Sequence, residues 1–358
     1  MTPATATPGR GVRAVARAFD LYERAFASGP AAGRLSRPRP VRRSGYETRL
    51  LVAAREVVAD GVVSLRLSHP QGRALPSWTP GAHLDLLLPS GRMRQYSLCG
   101  DPADRSSYRI AVRLVEDGFG GSREVHEQLR PGGCLRVRGP RNGFRLLAAP
   151  AYVFLAGGIG ITPILPMVQA AARTGAPWRL CYLGRSRATM PFREELAAFG
   201  GGELIEHHDD EAGHADLAAL LDRSAALANR PDVYACGPPP VMDTVRELMR
   251  TADASIPVFA ERFSPPVVID GRPFVAELAR SGRAVPVAAN ESLLAAIRRE
   301  LPGVVYSCQQ GFCRACRCRV LDGAVEHRDP GTLLEAERSD SMLVCVSRAA
   351  GDRLVLDL

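Results

Sequence analysis

Five of the nine cysteines crowd the C-terminal end of this 358-residue chain, and their spacing restricts the fold more than any other feature. Cys308, Cys313 and Cys316 form a C-x4-C-x2-C run, and Cys345 follows after 28 intervening residues. This is plant-type [2Fe-2S] spacing, in which a loop wraps three thiolates around one edge of the cluster and a distant segment supplies the fourth. Three short arms must converge on a small rhomb, while the amides between them point at its sulfurs and stabilise the charge added on reduction. A tetrahedral zinc site more often pairs two close dyads. The three-plus-one arrangement, set in Tyr306-Ser307-Cys308-Gln309-Gln310-Gly311-Phe312-Cys313, favours iron-sulfur over zinc. Cys318 reads as a small core residue on a strand.

Cys99, Cys134, Cys181 and Cys236 are scattered singly in apolar or turn contexts. With no secretory signal at Met1 to Arg13, they are core or backbone filler and not a disulfide framework. No stretch reaches the run of roughly 20 apolar residues that a membrane span needs. A cytoplasmic protein is therefore expected. All 46 basic residues are arginine and the net charge is +8. The arginines are dispersed through periodic segments without an aromatic-interleaved stripe, which argues against nucleic acid as a partner.

Residues 1–46 are rich in Pro, Gly, Ala and Arg. Val12, Val15, Phe19, Tyr22 and Phe26 recur there at helical spacing, giving an N-terminal extension with a short amphipathic helix. From Arg49, short β-type runs (Val62 to Leu67, His83 to Leu88, Tyr108 to Val115, Cys134 to Arg138) alternate with turns such as Pro80-Gly81 and Pro131-Gly132. That pattern predicts a small antiparallel β-barrel over 47–148. Over 149–262 apolar runs (Ala151 to Ala156, Arg179 to Leu183, Val233 to Cys236) alternate with helical segments starting near Pro163, Arg193 and Val241. This predicts an α/β domain with a parallel sheet. A Pro-rich linker spans 263–271. The remainder, 272–358, opens with strands Phe274 to Leu278 and Ala284 to Val287 and a helix Ser292 to Glu300 capped by Ser292.

Two further motifs carry chemistry. Arg94-Gln95-Tyr96-Ser97 in the barrel offers a cation, an aromatic face and a hydroxyl, and Gly118-Phe119-Gly120-Gly121-Ser122 is a turn whose amides can cradle a phosphate. Ala156-Gly157-Gly158-Ile159-Gly160-Ile161-Thr162-Pro163 lies between an apolar strand and a helix, the context of a dinucleotide loop, with Thr162 as a helix cap and Pro163 in the first turn.

With the tail Met342-Leu343-Val344-Cys345-Val346-Ser347-Arg348-Ala349, these residues resemble the phthalate dioxygenase reductase and vanillate demethylase reductase family over about 47–358. The resemblance implies an FMN barrel, an NAD(P)H-binding α/β domain and a C-terminal β-grasp ferredoxin domain, in that order. It assigns Arg94 to the flavin phosphate, Tyr96 to stacking on the flavin, Ser97 to its N5 edge, and the backbone of Ile110, Val112 and Arg113 to the ring. Gly120, Gly121 and Ser122 would hold the phosphate. The family usually has Arg where Phe119 stands, with Arg123 a possible substitute. Gly157, Gly158, Gly160, Thr162 and Pro163 would take the pyrophosphate. Arg185, Ser186 and Arg187 would flank the adenosine ribose, where basic residues leave NADPH open beside NADH. Cys236, Gly237 and Pro238 would make room for the nicotinamide.

A hydride carries two electrons and an iron-sulfur cluster accepts one, so a flavin between them serves as adaptor. The reading is an NADH-dependent reductase that feeds a terminal oxygenase, of Rieske type, and needs no acid-base residue. A P450 or other haem acceptor stays open as an alternative, as does a non-catalytic redox sensor or adaptor. A monomer is expected. Arg314, where related loops commonly carry Gly, together with Arg317 and Arg319, predicts a cationic rim beside the cluster that docks an acidic partner.

Overall fold

The computed structural model describes residues 47–116, 120–225, 231–251, 258–263, 268–301, 303–306, 309, 311, 314–329 and 332–358; the side chains of 222–225, 246 and 249–251 are outside it. The N-terminal helix predicted within 1–46 thus lies outside the described residues. So do Gly118, Phe119, Cys308 and Cys313.

β1 (Glu47–Ala59), β2 (Val62–Ser68), β3 (Ala82–Leu87), β4 (Met93–Ser97), β5 (Ser107–Arg113), helix α1 (Gly121–Gln128) and β6 (Cys134–Asn142) form the barrel. Its strand order is β4-β3-β6-β1-β2-β5, antiparallel at each step. The long β1 has no clean alternation because irregularities at Val52/Ala54 and Val57/Ala59 bend it. A bridge between Leu98 and Ile110 brings the two edge strands together at one point, beyond which β4 and β5 carry no ladder to each other. Leu50, Leu65, Leu84, Leu86, Ile110 and Val112 fill the interior.

Next come β7 (Tyr152–Gly157), α2 (Ile161–Thr174), β8 (Trp178–Gly184), α3 (Arg193–Ala197), β9 (Gly202–His208), α4 (Asp209–Ala212), α5 (Leu217–Ala225), β10 (Asp232–Cys236), α6 (Pro239–Thr251) and β11 (Val258–Glu261). They build a parallel sheet in the order β11-β10-β7-β8-β9. β7 is buried throughout, as expected of a central strand covered on both faces. β9 carries Glu203, Glu206 and His207 because it is an edge strand, and its polarity hid it from the apolar-run reading.

The barrel and this sheet share a core: Val62, Cys99 and Ala111 pack in one cluster with Phe154, Trp178 and Tyr234. Two arginines add charged links across the seam. Arg109 donates to both Glu195 oxygens (2.9 and 2.8 Å), and Arg173 to both Asp101 oxygens (2.7 and 2.6 Å).

The last unit comprises β12 (Phe274–Leu278), β13 (Arg283–Val287), α7 (Leu293–Glu300), β14 (Arg317–Asp322), β15 (Val325–Glu326), α8 (Glu335–Arg338), β16 (Ser341–Leu343), β17 (Arg348–Ala349) and β18 (Arg353–Leu356). Its main sheet is mixed, β13-β12-β18-β14-β16, with β12 and β18 parallel. α7 lays Leu293, Leu294, Ala296 and Ile297 into the core, and Ser292 caps it by accepting the Ala295 amide at 3.2 Å. Arg348 is 1 % exposed and donates to the carbonyls of Arg272 (2.8 Å), Ala288 (2.9 Å) and Glu291, which staples the start of the unit to its end. Barrel, α/β sheet and C-terminal α+β grasp follow in the expected order.

Candidate flavin, nucleotide and cluster sites

The gap between β4 and β5 is the first candidate. Arg94 and Tyr96 sit opposite Leu86 and Leu84 on β3, so both face the barrel's apolar side where the ladder stops. Burial raises the Tyr96 phenol to about 12, so it stays neutral through the physiological range. α1 begins here on Gly120, which has φ 75 and offers no side-chain cap, leaving the amides of the first turn to an outside acceptor. The Arg94 side chain lies directly against Gly121, where a Cβ would come within 2.3 Å of Nε. A cation resting on the uncapped start of a helix fits the phosphate of a flavin mononucleotide.

Ile110 and Val112 point into the barrel core, so only their backbone can border a ring. The Ser122 hydroxyl is held by Val115, accepting its amide at 3.0 Å. Arg123 donates to the Glu116 carbonyl at 3.2 Å, so the substitute cation expected there is turned elsewhere. Arg92 stands nearer the start of α1: its guanidinium carbon is 3.9 Å from where a Gly120 Cβ would be. It also pairs with the buried Glu124 at 3.4 Å. Burial would raise the Glu124 carboxyl, but hydrogen bonds from Ser90 and the pair with Arg92 hold it below its usual value. The alternation Arg92-x-Arg94-x-Tyr96 was the available signal. Arg94→Ala is expected to weaken FMN binding by about 1.5–3 kcal/mol, roughly ten- to a hundredfold, measured by fluorescence titration of flavin-depleted protein.

The nucleotide loop is built by close backbone approach. β7 and β10 are parallel neighbours, with Ala156 opposite Cys236, and the chains leaving them run together. A Cβ on Gly157 would meet Pro238 Cδ at 2.6 Å, and one on Gly160 the Cys236 carbonyl oxygen at 2.2 Å. Gly158 alone opens outward, at φ 53. Thr162 is not the helix cap: α2 follows a 3-10 turn (Gly158–Gly160), and the Thr162 hydroxyl donates to the Ile159 carbonyl at 3.0 Å. Pro163 does lie in the first turn.

The Cys236 thiol faces the core with Phe154 and Tyr234, following the alternation along β10. Burial pushes it well above its usual pKa. The room for a ring is therefore left by Gly237 and Pro238, not by the thiol. Arg113 and Arg185 approach one another; burial and then repulsion from Arg185 lower the Arg113 guanidinium. A phosphate between them would relieve that repulsion. Ser186 and Thr189 form a capping box, and Arg187 is paired with Glu211 at 3.1 Å, so two of the three residues expected at the ribose, Ser186 and Arg187, have partners already.

At the cluster loop, Gln309 (φ 57), Gly311 (φ 82) and Arg314 (φ 60) are all left-handed. Such turns aim successive amides inward, which suits an anionic iron-sulfur rhomb. β14 pairs β16 with Arg317 opposite Leu343 and Cys318 opposite Met342. Continued one step past its end, that register sets Cys316 opposite Val344, the residue before Cys345, and the Val344 amide donates to the Cys316 carbonyl at 3.4 Å. Cys316 and Cys345 are 5 % and 3 % exposed. Burial lifts the thiol of Cys318 to about 11, and it belongs to the core behind the loop.

The expected cationic rim is instead nearly balanced. Arg314 and Arg317 (2.7 Å) share the Glu337 carboxylate, and Arg319 lies 3.9 Å from Asp340.

Residues 276–350 match the sequence model of the 2Fe-2S iron-sulfur cluster binding domain. Over 322 residues, 87 % of this chain and 97 % of the relative, the sequence is 38 % identical to the phthalate 4,5-dioxygenase oxygenase reductase subunit of Pseudomonas putida. The chain belongs to the phthalate dioxygenase reductase family. A crystal structure of a phthalate dioxygenase reductase, described as modular for electron transfer from pyridine nucleotides to [2Fe-2S], superposes with a TM-score of 0.65 at 34 % identity. It covers 87 % of this reductase and 98 % of that chain. An intact type IV self-sufficient cytochrome P450 monooxygenase matches with a TM-score of 0.70 at 36 % identity, covering 93 % of the reductase and 45 % of that chain. The reductase is thus an NAD(P)H-dependent oxidoreductase and the electron-transfer component of an oxygenase system, built for a flavin, a pyridine nucleotide and a [2Fe-2S] cluster. Among the described residues no helix is long and apolar enough to cross a membrane.

Proposed function

We propose that the reductase takes a hydride from NADH and delivers single electrons, through a cluster held by Cys308, Cys313, Cys316 and Cys345, to a Rieske-type terminal oxygenase. Bound FMN supplies the conversion from two-electron to one-electron chemistry. The chain's own residues do the placing. Arg94, Arg92 and the uncapped start of α1 hold the flavin phosphate, and Tyr96 packs on its ring. Arg113 and Arg185 neutralise the dinucleotide phosphates, while Gly157, Gly160 and Gly237 keep the loops after β7 and β10 close enough to form its floor.

The observation that supports this reading is the chain pairing past β14 and β16, where the Val344 amide donates to the Cys316 carbonyl at 3.4 Å and the next residue is the distant Cys345. Anaerobic titration of the purified protein with NADH tests it. Flavin absorbance should bleach and the electron paramagnetic signal of a reduced [2Fe-2S] cluster should appear; a colourless zinc protein, or flavin that NADH does not bleach, defeats it. The likeness to the self-sufficient P450 supports a second reading with a haem acceptor. NADH consumption coupled to product, measured with a Rieske oxygenase and with a P450, separates the two.

NADH rather than NADPH is favoured by Glu211, whose carboxylate holds Arg187 and would repel a ribose 2'-phosphate. Glu211→Gln is expected to raise the ratio of kcat/KM for NADPH over NADH about tenfold, since it removes a like charge and releases a guanidinium.

A further inference from the structure

The outer face of the barrel carries a polar cluster that, apart from the Ser97 hydroxyl expected at the flavin edge, none of these cofactor sites uses. His83 and Asp85 lie two residues apart on β3 and so share a face. The ladders set Ser97 and Arg141 opposite His83, and Gln95 opposite Asp85. A carboxylate on the outside of a barrel would ordinarily be solvated, yet Asp85 is 1 % exposed and His83 6 %. Gln95 donates to Asp85 Oδ1 at 3.0 Å, and Arg141 Nη2 forms an ion pair with Oδ2. Burial and the nearby Arg141 lower His83 to about 4, leaving Arg141 as the cation that balances Asp85 near neutral pH.

The other arm of the same guanidinium leaves the barrel. Arg141 Nη1 donates to the backbone carbonyl of Tyr306 at 3.5 Å. Tyr306 is two residues before Cys308, and its ring is buried beneath the Arg298 guanidinium, 4.2 Å from the ring centre. One side chain therefore joins a buried carboxylate of the barrel to the backbone where the cluster loop begins.

We propose that Arg141 is a positioning residue that holds the cluster loop in register with the flavin barrel for electron transfer between them. The inference rests on the proposed flavin-to-cluster reading. In that step one electron passes from reduced flavin to oxidised cluster and no bond is made or broken between them. Its rate is therefore set by separation and orientation, which a loosely held loop degrades. A forked guanidinium can serve carboxylate and carbonyl together, whereas an ammonium offers a single point of charge.

Two variants of the cofactor-loaded protein test this: Arg141→Lys, which keeps a cation for Asp85, and the double variant Asp85→Asn/Arg141→Met, which removes the buried charge together with its partner. After anaerobic mixing with NADH, flavin bleaching should stay within about twofold of the parent in both, and cluster reduction should slow at least about tenfold. Without NADH, hydrogen exchange at the amides of residues 305–311 should quicken in both. Unchanged cluster reduction and exchange overturn the proposal. So does slowing confined to the double variant with a lowered Tm, which makes Arg141 a barrel-stability residue only. Flavin that NADH fails to bleach in the parent defeats the underlying reading instead, a result distinct from bleaching with unaltered transfer.

Discussion

Cys345→Ser is expected to cut NADH-driven cytochrome c reduction at least about a hundredfold while NADH still bleaches the flavin. A serine hydroxyl stays protonated near neutral pH and offers iron a hard oxygen where the cluster needs a soft thiolate. The position tolerates no substitute from nearby, because Cys345 is 3 % exposed and lies two residues beyond the Met342–Leu343 end of the β14–β16 ladder. Cluster binding is also folding free energy for the loop, so the variant should lose the reduced-cluster paramagnetic signal and unfold its C-terminal unit earlier. Cys318→Ala is the control. Its thiol belongs to the core, so it should keep the cluster signal and lose only the small amount of stability that goes with trimming a buried sulfur. Loss of the cluster in Cys318→Ala with retention in Cys345→Ser would reassign the ligand set.

Gly160→Ala is expected to cost about 3 kcal/mol of stability and to raise KM for NADH at least about tenfold. The added methyl would sit 2.2 Å from the Cys236 carbonyl oxygen, 2.6 Å from its carbon and 2.9 Å from the Gly237 nitrogen, all backbone atoms with no rotamer to change. The loops after β7 and β10 would have to separate, and those loops form the floor of the nucleotide site. Gly158→Ala tests the argument from the other side. It meets nothing within 4 Å, so only the left-handed backbone at φ 53 resists it, at about 1 kcal/mol. Denaturant midpoints for the two variants, with steady-state kinetics for Gly160→Ala, check the ordering; equal destabilisation would refute the packing explanation.

Much of this was legible in the residues themselves. The cysteine spacing announced an iron-sulfur loop because ligand chemistry is local in sequence for three of the four thiolates. The Gly157 to Pro163 run announced a phosphate loop because tight turns and a helix start are also local. The strands Phe274 to Leu278 and Ala284 to Val287 and the Ser292 cap were readable for the same reason. β1 and β9 were not: the first is bent by irregularities that break its alternation, and the second is a polar edge strand, so neither shows the periodicity of a buried one.

Side-chain direction and partnership were decided only in three dimensions. The residue pattern nominated Arg123, Thr162, Cys236 and Arg187, and the fold turned them to Glu116, to Ile159, into the core and to Glu211. It supplied Arg92 beside the flavin cleft and joined Asp85, Arg141 and Tyr306, which are separated by 56 and 165 positions in the chain. The sequence by itself determined which cofactors the chain is built to hold, since their binding chemistry is written in short motifs. Only the tertiary structure decided which neighbouring residues serve them, because long-range contacts depend on strand register and on which face of each strand is covered.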